Sequence, residues 1–157
     1  MQVESEGITA VDLAMMQRAI DIARQGSLVG EIPVGAVVYR GREILAEAHN
    51  LREKTHDASA HAERLAITEA GQQQKSWRLS DCTLAVTLEP CPMCAGLLVN
   101  ARLKRVIFGA TDPKAGACGT LYNIPSDNRL NHVVEVHGGV MADQCADLLR
   151  QFFLDRR

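Results

Sequence analysis

Eight consecutive residues, Ile32-Pro33-Val34-Gly35-Ala36-Val37-Val38-Tyr39, carry no charged or amide side chain. The run is rich in β-branched residues and lacks the apolar/polar alternation of a strand with one wet face. It therefore predicts a strand buried on both sides, and such a strand needs a layer of other elements above and below it. Helical and strand-like segments alternate along the rest of the chain, which fits: the reading is an α/β domain whose mixed sheet is covered on both faces.

The segments follow in order. Thr9-Ala10-Val11-Asp12 is a capping box, a hydroxyl followed three residues later by a carboxylate that can reach back. Leu13, Met16, Ile20 and Ala23 then recur at helical spacing, with Gly26 as the expected stop. Gly41 turns the apolar run into a second strand over Glu43–His49, and this hairpin is the one antiparallel pairing expected. Residues 50–59 are polar and irregular. Helices are predicted over Ala60–Gln74, with Ala62, Leu65, Ala66 and Ala70 on one side, and over Cys91–Ala101. Strands are predicted over Cys82–Leu88, Arg105–Gly109 and His132–His137. Residues 110–131, with Pro113, Gly116, Gly119 and Pro125, read as loop around a short helical piece. A last helix is expected over Met141–Leu154, with Leu148, Leu149, Phe152 and Phe153 on one face. Leu97, Leu98 and Val99 suit either a core or a subunit contact.

Composition narrows the partners. The 157 residues are expected to form one domain spanning 1–157. Aromatic residues are only 4%, so the core must come from Ala, Val, Leu and Ile. A net charge of −2 excludes a uniformly basic nucleic-acid coat, although residues 100–157 carry eight basic against six acidic side chains and are the better footprint for a polyanion. The first twenty residues hold Glu4, Glu6 and Asp12 and no basic secretory n-region, and no apolar run reaches the roughly 20 residues of a bilayer span. Five cysteines then point to a reduced, cytoplasmic setting, where a close pair means metal or redox chemistry more often than a disulfide.

That close pair is Cys91-Pro92-Met93-Cys94, thirty residues after His61-Ala62-Glu63, each group opening a helix. Cysteines at i and i+3 share one helix face, Pro92 suits the first turn, and the positive helix end favours thiolates. With a neutral His61 nitrogen they make three ligands of the kind zinc prefers. Three protein ligands leave a fourth position for water, which marks a catalytic rather than a structural zinc. Glu63 lies about 200° around the helix from His61, awkward for joint ligation but suited to acid–base work beside that water. The competing readings are a closed structural site completed by His49, His56, His132 or His137, giving a zinc-stabilised binding module, and a redox pair, which leaves His-x-Glu unexplained. Cys82 and Cys145 read as core, and Cys118 as an oxidisable loop thiol without a role.

These two motifs resemble the zinc-dependent cytidine/deoxycytidylate deaminase superfamily, whose signature and zinc-activated water are well described. Glu31-Ile32-Pro33-Val34-Gly35-Ala36, His49-Asn50, Thr87-Leu88-Glu89-Pro90, Val106-Ile107-Phe108-Gly109-Ala110 and the ending Phe152-Phe153-Leu154-Asp155-Arg156-Arg157 are similar to the bacterial tRNA-specific adenosine deaminases, from about residue 12 onward. The resemblance implies a three-layer α/β/α fold with a roughly five-stranded sheet, a homodimer with one zinc per subunit, and deamination of adenosine to inosine at the wobble position of a tRNA anticodon stem-loop. The alternative is a free-nucleobase or nucleoside deaminase for guanine or cytosine on the same fold. It further implies His61, Cys91 and Cys94 as zinc ligands, Glu63 as proton shuttle, and Asn50 on the purine edge. Val34 and Pro90 become pocket walls, and Asp112, Lys114, Arg156 and Arg157 RNA contacts. Thr111 and Cys118 depart from the family pattern in the loop expected to face RNA.

Overall fold

The structure, a computed structural model, describes residues 7–156. Its elements are α1 (Ala10–Leu28), β1 (Gly35–Arg40), β2 (Glu43–His49), α2 (Arg52–Thr55), α3 (Ala62–Gln74), β3 (Thr83–Leu88), α4 (Pro92–Asn100), β4 (Arg105–Ala110), β5 (Glu135–His137) and α5 (Ala142–Leu154). The five strands lie in the order β2-β1-β3-β4-β5. Strand β1 is antiparallel to β2 and also to β3, while β3, β4 and β5 run parallel. The β1–β3 pairing corrects the expectation of a single antiparallel contact. Distant in sequence, it follows from where α3 returns the chain rather than from any local turn.

Strand alternation divides the core in two. Ala36, Val38, Leu84, Val86, Val106 and Phe108 pack toward α3 and α4. Val37, Tyr39, Ala85 and Ile107 face the opposite way, against Met16, Ala19 and Ile20 of α1 and Cys145 of α5. The fold is thus the expected three-layer α/β/α arrangement around a five-stranded mixed sheet. A strand dressed on both faces needs apolar residues at every position, which is why β1 showed no polar alternation.

Helix α1 begins with the expected box: Thr9 accepts from the Asp12 N–H (3.1 Å) and Asp12 accepts from the Thr9 N–H (2.9 Å). It does not stop at Gly26, which is buried within the helix with its Cα facing the His49 ring. The stop is Gly30, at φ +88°, where the Gly30 N–H reaches Ser27 O and the Glu31 N–H reaches Gly26 O, closing a Schellman turn. Residues 50–59, read as irregular, include the one-turn α2. Residues 111–131 contain no helix. They are tied by turns and a Cys118–Asn123 bridge, because their amides are drawn to a buried carboxylate described below. On α5, Cys145 and Phe152 face inward and Leu148 packs beside them, but Phe153 is exposed; the four expected residues span too wide an arc for one buried face.

Candidate active site

Because β1 is antiparallel to both neighbours, β2, β3 and β4 all end at one rim of the sheet, where β1 begins. Ligands of α/β sheets collect at such carboxyl ends. The rim presents Asn50 after β2, Glu89 and Pro90 after β3, Asp112 after β4 and Val34 before β1. Helices α3 and α4 start there with their positive ends inward.

His61 and Cys91 are the N-cap residues of α3 and α4, both with extended backbone, and neither side chain caps its helix. Both turn to one point instead. His61 Nδ1 lies 3.5 Å from Cys91 Sγ and 3.6 Å from Cys94 Sγ, and the three donor atoms fall within 4.8 Å of one another. Zinc bonds of about 2.3 Å to sulfur and 2.05 Å to nitrogen at a tetrahedral angle would set N and S about 3.6 Å apart. Both N···S separations therefore match those that a tetrahedral zinc ion requires. Among the described residues no other His, Cys, Asp or Glu joins the cluster. His49, His56, His132 and His137, the candidates for a fourth protein ligand, all lie outside the cluster.

The three donors share their protons unequally. Hydrogen bonds with Cys94 and His61 pull the Cys91 thiol down to about 4, while Cys94 is pushed up because its neighbour already holds the thiolate. Contact with Cys91 raises His61 against the opposing effect of burial. Glu63, in the first turn of α3, is only 4% exposed, and this burial raises its carboxyl above the ordinary range. A carboxyl that keeps its proton nearer neutrality suits proton transfer.

These groups floor a cavity of about 240 Å³ whose lining includes Ile32, Val34, Asn50, Arg52, Ala62, Leu88, Glu89, Asp112 and Ala115. Asn50 is buried; its Oδ1 accepts from the Arg52 N–H (3.0 Å), so the Asx turn is present while the side chain also lines the cavity. Pro90 is buried just outside the lining, its carbonyl accepting from Ala117 N–H. Lys114 is exposed on the 111–120 loop beside Asp112. Arg156 is not at this cavity: it lies over the Phe152 ring in a groove between the ends of α1 and α5. Arg157 falls outside the described residues.

Two polar residues of the cavity lining, Arg52 and Glu89, and the neighbouring Glu31 were not singled out from the sequence as site residues. Arg52 had only its place two residues after Asn50 to mark it. Glu31 and Glu89 are carboxylates beside apolar strand ends, 1% and 2% exposed, a placement that demands partners. Glu31 accepts from the N–H groups of Glu53 and Lys54 and so anchors α2. Glu89 accepts from the N–H groups of Asp112, Cys118 and Thr120; burial alone would raise its carboxyl, but these bonds and the Thr120 hydroxyl leave it lowered. Cys118, expected to be oxidisable, is buried with its thiol pushed up to about 12, in keeping with an inert core residue.

A deaminase is the class of protein that this fold and site define, and comparison with known families bears that out: the MafB19-like deaminase model matches residues 11–157. The tRNA-specific adenosine deaminase of Bacillus subtilis is 48% identical over 146 residues, covering 93% of this chain and 91% of that protein. The Haemophilus influenzae enzyme of the same name is 44% identical, covering 93% and 85%. A structure solved in work on A-to-I editing by tRNA:A34 deaminases at the wobble position of transfer RNA superposes with a TM-score of 0.83 at 34% identity, over 87% of this chain and 99% of that one. The chain belongs to the tRNA-specific adenosine deaminase family.

Proposed function

We propose that the chain is one catalytic domain that hydrolyses adenosine to inosine at the wobble position of a tRNA anticodon. The observation that carries this is the buried Glu63 carboxyl beside three convergent donors at the foot of an Asn50-lined cavity. His61, Cys91 and Cys94 would hold one zinc ion per subunit, which supplies Lewis acidity at an open fourth position and can lower the pKa of a water there to roughly 7. Glu63 takes one proton from the attacking water and delivers it to N1 of the purine, so that C6 becomes electrophilic and accepts the oxygen; it then carries the second proton of that water to the amino group, which leaves as ammonia. Val34, Ile32 and Leu88 exclude bulk water from the ring. Asn50 holds the purine edge through its amide, whose nitrogen can donate while Oδ1 serves the turn. An anticodon loop suits such a pocket because its bases are already unpaired and cheap to splay.

Asp112 and Lys114 contact the RNA strand near the cavity, and Arg156 and Arg157 at the chain end add salt-dependent phosphate contacts. The reduced setting of the cytoplasm agrees with five free cysteines. Among the described residues no helix is long and apolar enough to cross a membrane. The homodimer would use the outer face of α3 and α4, where Met93 and Trp77 are exposed near the half-buried Leu97; a monomeric mass by light scattering at micromolar concentration rules it out.

The test is incubation of purified protein with an anticodon stem-loop bearing adenosine at the wobble position, the nucleosides being resolved by mass. Inosine is expected. Turnover of free guanine or cytosine without inosine moves the assignment to a free-base deaminase. Replacing Glu63 by Ala should retain one zinc per chain and cut the rate by about 10²–10⁴-fold; unchanged turnover removes Glu63 from the mechanism.

A further inference from the structure

The segment from Asp112 to Thr120 has neither a helical nor a strand ladder to satisfy its amides, and Pro113 contributes no N–H. Its inward donors converge on one acceptor. Glu89 Oε1 takes the Asp112 N–H (3.1 Å) and the Thr120 hydroxyl, while Oε2 takes the N–H groups of Cys118 (3.0 Å) and Thr120 (3.1 Å). The approach is so close that a Cβ on Gly116 would lie 2.5 Å from the carboxyl group. On the other side, the Ala117 N–H donates to Pro90 O (2.9 Å). The loop is therefore clasped around Glu89-Pro90, the two residues that lead directly into the ligand Cys91.

We propose that Glu89 is a positioning residue for the RNA substrate, fixing the Asp112–Thr120 loop relative to the helix that carries Cys91 and Cys94. The inference rests on the reading of Asp112 and Lys114 as RNA contacts. Glu89 borders the cavity, but four donors occupy its two oxygens, so it acts through the loop rather than on the base. An ionised acceptor is suited to this, since its bonds are about twice as strong as neutral ones. Removing it releases binding contacts that are the same in ground and transition states, while Glu63 and the three donors stay in place. Such a loss raises KM and leaves kcat.

The experiment is Glu89→Gln in the full-length, zinc-loaded protein. The amide nitrogen of Gln would confront N–H donors. With the anticodon stem-loop as substrate, KM should rise by about tenfold or more, roughly what the loss of one charge-assisted hydrogen bond produces, with kcat within about twofold and one zinc per chain retained. Amide exchange at Cys118 and Thr120 should accelerate while β3 and α1 stay protected. Thr120→Val, which deletes one donor and spares the carboxylate, should show the same split at smaller size. A fall in kcat at constant KM, loss of zinc, or an unchanged KM in both variants overturns the proposal. If the wild type itself ignores RNA, the functional reading fails instead, and the exchange result still decides whether Glu89 anchors the loop.

Discussion

Asp12 sits at the rim of the sheet opposite the cavity, 2% exposed, and accepts four hydrogen bonds: from the Thr9 N–H (2.9 Å), the Tyr39 hydroxyl (2.6 Å) and both terminal nitrogens of Arg105 (3.0 and 2.8 Å). Asp12→Ala leaves a largely buried guanidinium and a buried phenol short of a partner and removes the return half of the capping box, while Thr9 still caps α1 through the residue-12 N–H. Breaking a buried ion pair costs about 3–5 kcal/mol, and the lost hydrogen bond from the Thr9 N–H about 1. These overlap, and Glu135 still pairs with Arg105 at 3.1 Å, so the expected loss is about 3–4 kcal/mol. In a chain of this length that is about 10 °C in Tm. Burial by itself would raise the Asp12 carboxyl, but Arg105, Tyr39 and the Thr9 amide hold it well below the usual carboxylate range. The unfolded chain then takes up the proton first, near pH 3.9, so this stabilisation is complete above that pH and drains away as acid is added below it. Urea unfolding of wild type and Asp12→Ala at matched free zinc, from pH 7 down to pH 2.5, measures both effects. The difference should be full at pH 7 and shrink below about pH 4. A loss under 1 kcal/mol at pH 7, or a difference that stays constant into acid, refutes the reasoning.

Gly35→Ala should destabilise the fold by about 3 kcal/mol or more in the same unfolding assay, because its Cβ would stand 2.0 Å from Ala19 O of α1 and overpacking against backbone cannot relax. Chelation should abolish inosine formation and also lower Tm, since a ligand that binds only the folded state stabilises it by mass action; activity that survives complete zinc removal, followed by metal analysis, contradicts the assignment of His61, Cys91 and Cys94.

Local chemistry was legible in the sequence wherever a residue's own neighbours decide its conformation. The capping box at Thr9, the limits of β2 and the helix-opening placement of His61 and Cys91 all followed from short-range rules. What escaped depended on partners far along the chain. Gly26 looked like a helix stop because nothing nearby shows that His49 fills the space beside it, while the true stop lay four residues on at Gly30. The pairing of β1 with β3 spans the whole of β2 and α3. Glu89 could be seen as a carboxylate beside an apolar strand, but its donors sit 23 to 31 residues downstream. Cys118, read as an oxidisable loop thiol, proved buried for the same reason, being enclosed by the loop that Glu89 gathers.

The sheet keeps two trades at arm's length. A six-residue strand advances about 20 Å, so the Asp12–Arg105–Tyr39 lock and the cavity stand well beyond the range over which substitutions interfere with one another. Loops around the cavity can therefore be rewritten for a different base or a different RNA without loosening the clamp at the opposite rim. A library confined to the exposed positions 52–55 and 113–114 would sample specificity while leaving both the core and that clamp untouched.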